Sequence, residues 1–215
     1  MSAIHLVRHG QASWGESDYD LLSERGVQQS GYLGMAWEAA GWMPTHAYAG
    51  SMRRHAQTAI AALDAAGPSD GYDVDAGWDE FDHLAVIEAH RPGFATEDPK
   101  EFQSVFVEAL GRWASTDHDD DYTETFAAFG ERVREAFGRA CDALDSGQSA
   151  AVFTSGGPIA AVASYLLAGD LSLWPRLNTV IINASVTTVV TGRSGRTLLS
   201  FNEHTHLPGD MVTYR

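Results

Sequence analysis

Arg8-His9-Gly10-Gln11 sets a guanidinium beside an imidazole, directly after a short apolar run at residues 4–7. That pairing suits a phosphoryl group. Arginine offers planar, permanently charged donors that bind phosphate in a bidentate way, and histidine is a nucleophile able to carry the phosphoryl group covalently. Gly10 lets the backbone approach a ligand closely. A second segment, Thr154-Ser155-Gly156-Gly157-Pro158, reads as a strand end, two glycines and the first turn of a helix. The free N–H groups and positive dipole end of such a helix suit an anion.

The elements that must position these groups follow from periodicity and punctuation. Residues 4–7 form a strand ending in a loop. Ser23 is a plausible N-cap for a helix that runs to about Ala40, with Val27, Tyr32, Leu33, Ala36 and Trp37 at helical spacing and Gly41 as its stop. A second strand is expected at 46–49, then an alanine-rich helix from Arg53 to Ala66 closed by Gly67-Pro68. Phe126, Phe129, Val133, Phe137 and Leu144 predict a long core-facing helix over 123–144. A buried strand at 150–154, a helix at 158–167, and a strand pair at 186–191 and 198–201 around Gly192-Arg193-Ser194-Gly195 complete the series. Residues 82–121 differ in character. Arg91-Pro92-Gly93 and Pro99 break the pattern, and the stretch ends in the acidic run Asp117-His118-Asp119-Asp120-Asp121, read as solvated surface; a partly helical insertion covering one end of the sheet is expected. Alternation of strands and helices predicts an α/β fold, a three-layer αβα sandwich around a mostly parallel sheet, built as one domain over 1–215. Ligands bind beyond the carboxyl ends of such strands, where Arg8-His9 and Ser155-Gly156 both fall.

Composition narrows the classes. The 215 residues carry 14 Lys and Arg against 29 Asp and Glu, a formal net charge of −15, which disfavours nucleic acid and anionic membranes as partners. No apolar run reaches the ~18–20 residues needed to span a bilayer, and the first residues lack the pattern of a signal peptide. The single cysteine, Cys141, suits a reducing compartment, so a cytoplasmic location is expected. Cys141 itself reads as inert.

Taken in order, these segments and their neighbours resemble the histidine phosphatase (phosphoglycerate mutase-like) superfamily. The resemblance runs from Leu6-Val7-Arg8-His9-Gly10-Gln11 through Tyr19-Asp20-Leu21-Leu22-Ser23-Glu24-Arg25-Gly26, with Gln29 and Gly34. It continues in Met52-Arg53-Arg54-His55-Ala56-Gln57-Thr58-Ala59, Trp78-Asp79-Glu80-Phe81, and Tyr122-Thr123-Glu124-Thr125 with Arg132. It closes in Phe153-Thr154-Ser155-Gly156-Gly157-Pro158-Ile159, Asn183-Ala184-Ser185-Val186 and Asn202…His206-Leu207. The resemblance implies a phosphoglycerate mutase-like fold with the insertion over the active site. It implies a phosphatase acting on a small phosphomonoester through phosphohistidine, with no metal or other cofactor. His9 matches the nucleophile, Arg8 and Arg54 the arginines that hold the phosphoryl oxygens, and Glu80 the acid that protonates the leaving oxygen.

Three positions depart from that pattern. Ser155 stands at the family's second histidine, keeping a donor but losing charge and reach; removing one such donor typically costs ~10²–10³ in rate. With Gly156, Ser155 is taken as phosphate-binding, and an N-cap role is its alternative. Gly15 stands where many members have asparagine, and Gly50 stands at a serine. Gln11, His83 and His206 are auxiliary candidates, with His83 and His206 or His204 able to stand in for the missing histidine. His55 reads as a helix-surface or packing residue, His5 as a core histidine, and His46, His90 and His118 as loop or surface positions. Trp14 is a candidate pocket wall, and an exposed loop acid is the alternative for Glu80. Two further readings stay open: a pseudoenzyme that binds a phosphorylated ligand without turnover, and mutase-type phosphotransfer. Because specificity in the superfamily lies largely in the insertion, its acidic run predicts poor tolerance of highly phosphorylated substrates.

Overall fold

The first strand, β1 (Ser2–Arg8), alternates its side chains between two cores, Ile4 and Leu6 entering one and Val7 the other. The computed structural model describes residues 1–13 and 20–214. Trp14, Gly15 and Tyr19, singled out above, lie outside the described residues. After β1 come α1 (Glu24–Ala39), β2 (His46–Ala49), α2 (Arg53–Ala66) and the two-residue β3 (Asp73–Val74). A 3₁₀ turn at Ala76–Trp78 leads to α3 (His83–His90) and α4 (Pro99–Ala114). Then follow α5 (Phe126–Asp142), β4 (Ser149–Thr154), α6 (Gly156–Ala168), α7 (Trp174–Asn178), β5 (Val186–Gly192) and β6 (Gly195–Glu203).

The six strands lie in the order β3-β2-β4-β1-β5-β6. The first four are parallel to one another, and β5 and β6 run antiparallel at the far side. The fold is therefore the expected α/β sandwich around a mostly parallel sheet. On one face α1 and α2 cover Val7, Ala49, Ala151 and Phe153 with Leu33, Trp37, Ala59 and Leu63. On the other, α5 and α6 cover Ile4, Leu6 and Val152 with Phe129, Val133 and Ile159.

Local chemistry explains most boundaries. Ser23 caps α1 by accepting from the Gly26 amide, and Thr125 caps α5 by accepting from Ala128. The long helix thus begins three residues later than its periodicity predicts. Conversely α6 begins at Gly156, two residues before the predicted 158, because its glycines are helical and do not form a turn. Two elements escaped the sequence. β3 is too short to show a period, and α7 is five residues that open on Trp174-Pro175. Residues 82–121 form α3, α4 and a 3₁₀ turn at Asp119–Asp121. Here α4 sends Val105, Ala109 and Trp113 into the core. Among the described residues no helix is long and apolar enough to cross a membrane.

Gly10 has a different role from the one its place beside His9 suggests. A Cβ there would come 2.2 Å from the Gly26 carbonyl oxygen, and a Cβ on Gly26 would come 2.2 Å from the Gln11 carbonyl oxygen. The glycine pair lets the loop after β1 lie against the first turn of α1, so it serves helix docking. Gly31, on the same helix, has open space around it. Gly26→Ala is expected to destabilise the protein by about 1–3 kcal/mol through overpacking, while Gly31→Ala stabilises it by roughly 0.5–1 kcal/mol through helix propensity. Urea unfolding of the two variants checks both signs.

Candidate active site

The pairing of Arg8 with Thr154 brings the ends of β1 and β4 level, so His9 and Ser155 emerge side by side. His9 is held on every backbone atom that can bond. Its N–H donates to the Thr154 carbonyl at 2.8 Å, and its carbonyl accepts from the Ala184 amide at 3.2 Å and Asn183 Nδ2 at 3.3 Å. The next amide, of Gly10, donates to Thr58 Oγ1 on α2 at 3.1 Å. In the side chain, Nδ1 lies 2.7 Å from the Gly10 carbonyl oxygen. A carbonyl only accepts, so Nδ1 carries the proton and the lone pair is left on Nε2. Burial first, then the charges of Arg54 and Arg8, hold this imidazole well below the usual histidine range.

Two guanidiniums flank it. Arg8 Nη1 donates to the Ile181 carbonyl and, at 3.0 Å, to that of Tyr214, anchoring it to the C-terminal segment. Arg54, in the first turn of α2, pairs through Nη1 with Asp20 Oδ1 at 2.7 Å; Asp20 Oδ2 also accepts from the Arg53 amide at 2.9 Å. Opposite stands Glu80. Its Oε2 accepts from the Gly157 amide at 3.0 Å and its Oε1 from the Phe81 amide at 3.3 Å. Burial raises its carboxyl above the ordinary range, against the lowering pull of those amides and of Arg54 and Arg8. The first turn of α6 therefore already binds a carboxylate, and Glu80 is not an exposed loop acid. A Cβ at Gly157 would lie 2.0 Å from Glu80 Oε1, which accounts for the glycine.

The loop that carries Glu80 is itself clamped. Arg132 Nη1 donates to the carbonyls of Asp79 at 2.9 Å and Gly77 at 3.1 Å, while Glu124 grips the same guanidinium at 2.7 and 3.0 Å. Thr154 Oγ1 donates to the Trp78 carbonyl. Beneath lie the rings of Phe81, Trp113, Phe126, Phe129 and Trp174 in edge-on or tilted contact, with Trp174 Nε1 donating to the Gly157 carbonyl at 2.9 Å.

Arg8, His9, Arg54, Glu80, His83 and Gly156 all line one cleft of about 380 Å³. Phe81 and, from α4, Phe102, Phe106, Val107 and Leu110 give it an apolar side, and Gln103, Asn178, Thr179 and Tyr214 add polar groups to the lining. A larger groove of about 580 Å³, lined by residues such as His46 and Asp73, sits at the amino ends of β2 and β3 and gathers no arginine. None of residues 117–121 reaches the cleft, so the expectation that the acidic run screens substrates loses its basis.

Four sequence candidates do not join the cleft lining. Gln11 turns its side chain to Ser23, whose hydroxyl donates to Oε1 at 3.3 Å. His206 bonds the Ala184 carbonyl at 3.0 Å instead of standing in for a missing histidine, and His204 bonds that of Asn202. Ser155 holds the N-cap position of α6 without a side-chain cap bond and does not border the cleft; its Oγ lies 2.7 Å from Nε2 of His55. That contact exposes the residue sequence reasoning missed. His55 is fully buried, its ring centroid 5.8 Å from that of His9. The signal was present in α2, where His55 shares its helical face with Ala59, Ala62 and Ala66, all buried. Among the described residues no group of three His, Cys, Asp or Glu could hold a metal ion.

The family model of the histidine phosphatase superfamily (branch 1) matches residues 4–204. A search of curated proteins finds no match. Among solved structures, phosphoserine phosphatase from Entamoeba histolytica aligns over 97% of this chain and 100% of its own, at 16% identity and a TM-score of 0.72. Phosphoglycerate mutase from Bacillus anthracis aligns over 95% of this chain and 94% of its own, at 19% identity and a TM-score of 0.68. A mycobacterial glucosyl-3-phosphoglycerate phosphatase aligns over 94% and 99%, at 20% identity and a TM-score of 0.63. These are likenesses of fold.

The Arg132 clamp makes a test of its own. Replacing it by methionine keeps the stem but frees the Asp79 and Gly77 carbonyls and the Glu124 carboxylate. Arg132→Met is expected to cost about 1–3 kcal/mol and to reduce the affinity of the cleft for orthovanadate, read by calorimetry beside a melting curve.

Proposed function

The chain belongs to the histidine phosphatase superfamily, and from that premise we propose that it hydrolyses small phosphomonoesters through a phosphohistidine formed on His9. The observation that carries this reading is the His9 Nδ1–Gly10 carbonyl bond, which leaves the lone pair on Nε2 of a residue lining the cleft that also holds two arginines and a carboxyl group. In the first step Nε2 attacks phosphorus, the ester P–O bond breaks, and protonated Glu80 gives its proton to the leaving oxygen, releasing the alcohol. In the second, water attacks phosphorus, the P–N bond breaks, and Glu80 takes the proton from water, releasing inorganic phosphate. Arg8 and Arg54 neutralise the equatorial oxygens in both steps. The lining residues supply the cations and the acid that this chemistry needs, so it calls for no metal.

Residues 82–121 act as the cap, and α4 supplies the pocket for the ester's alcohol. The Entamoeba phosphatase is described in complex with phosphoserine and with 3-phosphoglyceric acid, whose bodies carry charge. Here α4 lines the cleft with Phe102, Phe106, Val107 and Leu110 beside the uncharged amide of Gln103, which favours an uncharged body with apolar or aromatic surface. The buried Cys141 fits a reducing, cytoplasmic setting.

The expected pH behaviour follows from the two shifts. Activity is lost at the acid side when His9 gains a proton, at a pH below the ordinary histidine range because its pKa is lowered. It is lost at the alkaline side when Glu80 is deprotonated, at a pH above the ordinary carboxylate range because its pKa is raised. In rapid-quench assays with an aryl phosphate, His9→Ala is expected to abolish both turnover and the phosphoenzyme. Glu80→Gln is expected to slow an alkyl phosphate by about 10²-fold or more and an aryl phosphate less, since the better leaving group needs less help. Tight vanadate binding by a wild type that never turns over would favour the pseudoenzyme reading instead.

A further inference from the structure

His55 and Ser155 form a closed pair directly beside the nucleophile. Both are fully buried, and Ser155 Oγ lies 2.7 Å from His55 Nε2. On the other side of the ring, Nδ1 has no hydrogen-bond partner among the described residues, although Asp79 Oδ1 lies 3.9 Å away. A buried ring nitrogen left without a bond is a standing penalty that a passive packing residue has no reason to carry. The gap is also kept open. A Cβ on Gly50 would come 2.3 Å from His55 Nδ1 and 2.6 Å from Asp79 Oδ1, so glycine at this position admits both groups. Asp79 is held from the far side by the amide and hydroxyl of Ser51.

We propose that His55 is a buried proton store for the nucleophile: it takes up a proton at Nδ1, facing Asp79, whenever His9 carries the phosphoryl group. The proposal rests on the phosphohistidine reading above. In the free protein, burial and the Arg54 charge keep His55 neutral. With Nδ1 bare, the proton sits on Nε2 and is donated to Ser155 Oγ, which fixes the ring. Phosphorylation of His9 brings a dianion to a ring 5.8 Å distant and offsets Arg54 and Arg8. A proton then comes from solvent by way of the Asp79 carboxylate, whose side chain is one-fifth exposed, and forms the second N–H bond of His55. It leaves the same way when phosphate departs. The charged groups facing His55 are Arg54 from α2 and Asp79 from the Glu80 loop; His9 faces it from the residue after β1 and Ser155 from the residue after β4. His55 touches no substrate atom and is a positioning residue.

The test is nitrogen-15 NMR of the histidines in wild-type protein, free and saturated with orthovanadate, between pH 6 and 8. The expected result is a neutral His55 in the free protein and a doubly protonated one with vanadate bound, assigned by its loss in His55→Gln. A His55 that stays neutral with vanadate bound overturns the proposal and leaves the phosphatase reading standing. Failure of wild type to bind vanadate overturns both. The second readout is hydrolysis of the isolated phosphoenzyme as a function of pH. Glu80 acts there as a base, so its own titration depresses the rate only toward acid. Any fall toward alkaline pH reports loss of the His55 proton. His55→Gln is expected to slow this step about 10- to 100-fold, the loss expected for one charge-assisted interaction, and to flatten the alkaline fall. Gly50→Ala should do the same by displacing the ring, and Ser155→Ala less. An unchanged alkaline fall in His55→Gln overturns the proposal.

Discussion

Parallel pairing of β1 with β4, in the register that sets Arg8 against Thr154, is the constraint on which the whole site depends. A one-residue slip would turn every side chain of β1 to the opposite face, exchanging Leu6 and Val7 between the two cores. The hydrophobic alternation therefore enforces the register, and the register delivers His9 and Ser155 to the same edge. From there the neighbours are fixed by backbone bonds: Thr154 to His9, Thr58 to Gly10, and Asn183 with Ala184 to the His9 carbonyl. Ala184 accepts a left-handed φ of 57° to make its contacts. That strain is tolerated in a fully buried residue whose amide reaches the carbonyls of both Arg8 and His9.

The acid side of the cleft is organised differently. No strand carries Glu80; a loop does, and loops need external bonds to hold a side chain to within an ångström. Arg132 supplies them to the backbone, the aromatic cluster supplies them from below, and the Gly157 amide orients the carboxyl itself. Glu80 is thus buried enough to favour its neutral form while remaining bonded to an N–H that favours the charged one. Burial wins, as its raised pKa records. Group by group, the site balances desolvation against specific charge.

Much of this was legible in the residues. The strand–loop junctions at Arg8-His9 and Thr154-Ser155, the helix from Arg53 to Ala66 and the Glu80 segment all fell where periodicity and family resemblance placed them, and Arg8, His9, Arg54 and Glu80 do converge. The failures have physical causes. Gly156 and Gly157 look like a turn in sequence, yet they are helical, and they are glycines because Asn178 and Glu80 pack where side chains would be. Gln11 and His206 lie next to the cleft in sequence but are consumed by backbone and Ser23 contacts. His55 was hidden by its neighbour: one step along a helix turns a side chain by about 100°, so Arg54 enters the cleft while His55 goes beneath it. Contacts between distant segments, such as His55 with Ser155, leave no local pattern.

The C-terminal segment is woven into this machinery. Tyr214 offers its carbonyl to Arg8, Thr213 accepts the Asn183 amide and donates to that residue's side chain, and Gln29 bridges Met211 and Thr213 to the Gln11 amide. The amino end, by contrast, lies at the other end of β1, about 26 Å from His9 at ~3.3 Å per residue. Its ammonium donates there to Ser146 Oγ. For anyone making the protein, the two ends are not interchangeable handles. An affinity tag or fluorescent fusion at the carboxyl end pulls on an arginine of the site, whereas the same attachment at the amino end pulls on a surface serine.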